Sequence, residues 1–190
     1  MCARDCQAQA AGSGRSAEAR LAPPRHFDAG ELGTVESAVG AAEQLTGRFY
    51  CIPGREWQCL PYDVTTAASD QPLRDWAFAD VVRVLPFSAV PATPARRYRF
   101  PEHYRIRLRD DVILSAVEEQ NREIDLFSLL LWVLTHELVH VVRFGSGLAP
   151  FDAALDARRG EERRVHEITE RVLRPALDDG LRRAGQLCAG

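Results

Sequence analysis

The sequence predicts an α+β domain, mostly helical with one small sheet, and three observations carry that expectation. Residues 125–144 read as one long, almost uniformly apolar helix. Residues 104–110, "YRIRLRD", alternate strictly between apolar and charged side chains, and the segments 30–47 and 161–173 repeat apolar residues at helical spacing. A chain of 190 residues suits one domain with a substantial core, so we expect a flexible tail over 1–30 and a single domain over 31–190.

The elements follow in order. The opening stretch "MCARDCQAQAAGSGRSAEARLAPP" is too small and polar to bury the surface that order requires, and it holds no signal-peptide core. From residue 30, Leu32, Val35, Val39 and Leu45 trace a helix that Gly47 ends. "RFYCI" (48–52) is rich in strand formers and stops at Pro53-Gly54, which predicts a short strand and turn. "WQCLPYDVTT" (57–66) reads as irregular. "PLRDWAFADVVRVL" (72–85) reads as a helix with Trp76, Val81 and Leu85 on its stripe.

After a loop with Pro86, Pro91 and Pro94, the alternation at 104–110 predicts a half-buried strand, Tyr104, Ile106 and Leu108 inward and Arg105, Arg107 and Arg109 outward. Charge on the wet face suits an edge position, where it discourages unwanted pairing. The long helix follows, with Leu126, Leu129, Leu130, Val133, Leu134 and Val141 on nearly all sides. Glycines at 145 and 147 end it, residues 145–160 connect, and a last helix over 161–173 is closed or kinked by Pro175.

Composition excludes several function classes. Net charge is -3, which gives no general reason to attract nucleic acid or an acidic membrane. All 24 basic residues are arginine, a pattern that fits a GC-rich genome better than a phosphate-binding surface. The apolar run "LFSLLLWVL" (126–134) is shorter than a membrane span. The five cysteines (Cys2, Cys6, Cys51, Cys59, Cys188) show no metal or disulfide spacing, so free thiols are expected. These features predict a soluble, cytoplasmic bacterial protein with no nucleic-acid and no membrane partner.

Chemistry concentrates in "HELVH" (136–140). At 3.6 residues per turn His136 and His140 stand one turn apart on one face, where both imidazoles reach a single ion. Glu137 lies about a third of a turn round, placed to reach a water on that ion. Zn²⁺ would acidify this water and polarise a carbonyl while Glu137 takes the proton as general base. Two imidazoles and a carboxylate are costly inside so apolar a helix unless something satisfies them.

The third ligand comes from the last helix, where Val165, Ile168 and Val172 define an inward stripe. Glu162 and Thr169 lie beside that stripe and His166 at its margin. Glu162 is better aimed, and a carboxylate commonly completes a site with two histidines. His166, one turn on, is the alternative third ligand or a hydrogen-bonding partner of a ligand. Arg143, one turn beyond His140, is placed either to hold a substrate carboxylate or oxyanion, or to make an ion pair at the helix C-terminus.

With "HELVH" on an apolar helix, an alternating strand upstream and a later helix bearing Glu162, residues 100–173 resemble the zincin metallopeptidases, in their glutamate-zincin (thermolysin-like) branch. The resemblance implies a zincin-like domain whose edge strand lies beside the HExxH helix and binds extended peptide by strand addition. Residues 104–110 would be that strand, which makes Tyr104 and Ile106 substrate contacts. The metzincin continuation is absent, since Arg143 and Phe144 follow where its glycine pattern would run. The expected function is a zinc-dependent hydrolase acting on a peptide or protein substrate. A zincin-like scaffold that binds zinc without turnover is the alternative, and intact Glu137 favours the enzyme.

Overall fold

Fifteen of the 20 residues of Leu126–Gly145 are buried, so this helix is the axis on which the other elements pack. The computed structural model describes residues 25–53, 57, 60–66, 78–84, 102–120 and 123–189. In chain order it contains helix α1 (Ala29–Tyr50), strands β1 (Tyr62–Thr65), β2 (Ala79–Val84) and β3 (His103–Leu108), then helices α2 (Asp110–Glu119), α3 (Leu126–Gly145), α4 (Leu155–Leu173) and α5 (Asp179–Cys188). A 3-10 turn, Arg174–Ala176, follows α4. The fold is α+β: helices predominate, and a small mixed sheet has the order β1-β3-β2, with β1 parallel and β2 antiparallel to β3.

Helix α3 is long and apolar enough to cross a membrane, yet most of it is buried within the fold, as befits a core helix. Asp125 caps it by accepting from the Ser128 backbone N–H at 2.9 Å. Helix α1 packs along it. A capping box starts α1, in which Asp28 accepts from Glu31 N and the Glu31 carboxylate accepts from Asp28 N. Phe27 is buried in the core, so the fold includes residues that lie before the expected boundary at 30. The expected tail over 1–24 lies outside the described residues.

Several local expectations are corrected. Gly47 does not end α1, which runs on through Phe49 and Tyr50 to Cys51 in the left-handed conformation (φ 56°). Phe49 and Tyr50 pack against Val139, Val165 and Val172, and this burial overrides their strand preference. Residues 62–65, read as irregular, form β1, too short for alternation to show. Residues 79–84, read as helix, form β2, where Asp-Val-Val-Arg-Val satisfies strand pairing as well as helical spacing. Helices α2 and α5 were not anticipated, and α4 begins six residues earlier than 161.

The largest correction concerns β3. It is central, not an edge, with neighbours on both sides. Its buried face is as expected: Tyr104, Ile106 and Leu108 are each 0% exposed. Its arginines deter nothing, because each has an acid directly opposite on a neighbouring strand. Arg105 donates from Nε to Asp63 at 2.9 Å, and Arg107 from Nε to Asp80 at 2.8 Å. An edge strand does lie beside α3, and it is β2.

Candidate metal centre

The helical repeat brings His136 and His140 together, with ring centroids 5.0 Å apart. Glu162, on the crossing helix α4, sets Oε2 3.5 Å from His136 Nε2 and 3.4 Å from His140 Nε2. One donor atom from each residue lies within 4.8 Å of the other two, so the three could hold a metal ion. His140 is buried and His136 nearly so, whereas the Glu162 side chain is 53% exposed. The group therefore sits where the core meets solvent.

Its electrostatics follow from that position. Burial pushes Glu137 up to about 7, the charges on Glu162 and Asp80 adding to the effect and His140 opposing it. Burial lowers His136. Burial also works against a charged His140, but the facing carboxylates of Glu162 and Glu137 win and raise it. Glu162 shows the converse: burial works to raise it, and the two imidazoles hold it below the usual carboxylate range.

Both Nδ1 atoms, of His136 and His140, are buried with no hydrogen-bond partner among the described residues. They are the ring nitrogens that do not face Glu162, so the case for a ligand rests on the two Nε2 atoms, which converge with its carboxylate. The 3.4 and 3.5 Å separations are long for charge-assisted hydrogen bonds, which run about 2.7–2.9 Å. They match the roughly 3.4 Å edge of a tetrahedron built on metal–ligand bonds of about 2.0–2.1 Å.

His166 is not in this group. Its ring lies 4.9 Å from Trp132, and its Nε2 is 3.7 Å from Glu170 Oε1. Arg143 makes the ion pair rather than facing open cleft, with NH2 donating to Glu161 at 2.9 Å and Nε to the other carboxylate oxygen. Tyr104 and Ile106 present no side-chain surface to a substrate, being fully buried on a central strand. Tyr104 packs instead with Phe144 and Phe151.

Two supporting residues escaped the sequence reading. Trp132 stacks on His136 at 5.5 Å and 20°, and Phe144 stacks on His140 at 5.3 Å and 22°. Trp132, His136, His140 and Phe144 succeed one another at intervals of four, a spacing that could have found them. Cys188 closes α5 close enough to Glu137 to feel its charge. Burial, with Glu137 adding, pushes this thiol up to about 12, which keeps it protonated and unreactive at neutral pH. Among the described residues Cys51 and Cys188 are free, as expected.

Gly185 of α5 lets Trp132 occupy its place, since a Cβ there would lie 2.8 Å from Trp132 Nε1. Gly185→Ala is therefore expected to destabilise the protein by about 1–3 kcal/mol through overpacking. It should also alter tryptophan emission as the ring leaves His136. A melting curve and an emission spectrum identical to wild type would show that the ring is not held this way.

Comparison with protein-family models, with curated proteins and with solved structures finds no match. The site is read from its own chemistry.

Proposed function

We propose that this chain is a zinc-dependent hydrolase, most simply a cytoplasmic metallopeptidase of zincin type. The observation that supports it is the convergence of His136, His140 and Glu162, whose carboxylate lies 3.5 and 3.4 Å from the two imidazole Nε2 atoms, separations that suit neighbouring ligands of one ion. Two imidazoles and one carboxylate are a donor set suited to zinc in an open, catalytic site. Zinc held there would supply a Lewis acid that polarises a carbonyl and acidifies water.

The remaining work falls to the chain itself. Glu137 lies beside the ligand set and outside it, so its carboxylate is available to accept a proton from water and return it to a leaving amine. Trp132 and Phe144 orient the two imidazoles from behind. Strand β2, the edge beside α3, offers backbone groups to an extended peptide, the role β3 cannot take.

One observation favours the alternative, a zinc-binding scaffold without turnover. Among the described residues three candidate oxyanion donors are engaged elsewhere, Arg143 with Glu161, the Tyr62 hydroxyl with Glu43 and the Tyr104 hydroxyl with Glu102, which leaves the buried Tyr50 hydroxyl without a hydrogen-bond partner.

Metal analysis tests the proposal directly. The protein purified without chelator is expected to hold about one zinc per chain, and His136→Ala or His140→Ala to hold far less. Absence of zinc from wild type, with no uptake when it is added, would remove both the enzyme and the scaffold reading.

A further inference from the structure

Helix α4 carries Glu162 on a stretch with little to hold it. Its buried residues are Val165, Thr169, Val172 and Leu173, all on the C-terminal side of Glu162, and none of residues 155–164 is buried. Hydrophobic packing thus fastens α4 to α3 from Val165 onward, so Glu162 stands one turn beyond the last buried anchor, at the start of a stretch that hydrophobic burial does not hold. Helical propensity cannot fix the position of a ligand relative to a neighbouring helix.

What reaches across is the pair Arg143–Glu161. Glu161 immediately precedes Glu162, and Arg143 stands one turn beyond His140. Both side chains are largely shielded, at 9% and 16% exposure, and the guanidinium meets the carboxylate through two parallel contacts. A bidentate fork fixes orientation as well as distance. Among the described residues this is the ion pair that joins the N-terminal half of α4 to another element, apart from the Glu162 contacts with the histidines. Tyr50 of α1 lies beside Arg143 as well, close enough for the guanidinium to offset part of the effect of burial on its phenol.

We infer that Arg143 and Glu161 are positioning residues for the metal centre, a clamp that holds the Glu162 turn of α4 against the His140 turn of α3. The inference rests on the metal-site reading proposed above. With the clamp intact, Glu162 is held in place before the ion arrives, and binding spends little on ordering it. Without it, the ion must itself draw α4 onto α3.

The test is the affinity for Zn²⁺ alone, measured by chelator competition well below the melting temperature of each apo protein. The variants are Glu161→Gln, Arg143→Met, the double variant and Glu162→Ala. Each clamp variant is expected to bind zinc about 10–100-fold more weakly. The double variant should be no worse than the weaker single one, because both act through one pair. Wild-type affinity in a folded Glu161→Gln, whatever its melting temperature, would overturn the clamp, as would losses that simply add. Should Arg143→Met fail to fold, Glu161→Gln decides alone. A wild type that binds no zinc, or a Glu162→Ala that binds it equally well, would instead overturn the metal-site reading beneath the clamp. The clamp variants cannot give that result.

Discussion

Glu137→Gln is expected to keep its zinc and to lose hydrolysis by about 100-fold or more, the size expected when a positioned general base is removed. Glutamine matches glutamate in shape, so the buried position beside His136 is refilled without a cavity. The metal should stay because Glu137 is not one of the three converging donors. Only the proton acceptor is lost. Turnover of an unfolded protein substrate, with zinc content measured on the same sample, checks both halves. Undiminished turnover would discard Glu137 as the base, and loss of zinc would make it a ligand.

Glu162→Ala should cost far more zinc affinity than His166→Ala, and comparison with His136→Ala sets the scale. Glu162 Oε2 faces both imidazoles at near-equal distance, so its loss opens the site to water on one whole side. His166 is not one of the three converging donors; it packs on Trp132, which in turn stacks on His136. Removing it should cost about 10–100-fold, as for a contact that orients a ligand. Isothermal titration with Zn²⁺ would rank them. The reverse order would make this a three-histidine site.

How much was legible depended on how local the determinant was. His136, Glu137 and His140 were visible because one helix carries all three at fixed spacing. Helical phase and the habit of a carboxylate to complete a site with two histidines both favour Glu162 over His166, and the structure brings Glu162 to the histidines and leaves His166 on Trp132. The partner of Arg143 was not legible. Glu161, Glu167 and Glu170 all have arginine neighbours at helical spacing within the last helix, and only the crossing of α4 over α3 selects Glu161 for Arg143. The sheet order was hidden for a related reason. Alternation reports which face of a strand is buried, and β3 alternates as it should, but nothing in residues 104–110 counts neighbours. Strands β1 and β2 were missed because four residues are too few to show a period and because Val81, Val82 and Val84 fit two periods at once.

The arginine row of β3 has a consequence for how the strands find their alignment. A slide of β2 by two residues along β3 would bring Asp80 opposite Arg105 or Arg109 in place of Arg107, so the charge pattern scores all three alignments alike. Asp63 is scarcely more selective, for it already lies 3.6 Å from His103 while pairing with Arg105. Discrimination therefore falls to the buried face, where a slipped strand keeps its inward side chains but mismatches their sizes. Ala79 faces Leu108, small against large, and Val81 faces Ile106. Tyr104 must fit its ring between Phe144 and Phe151. Shape on the dry side chooses the alignment, and a tyrosine with no reach to substrate becomes the gauge by which the sheet is set.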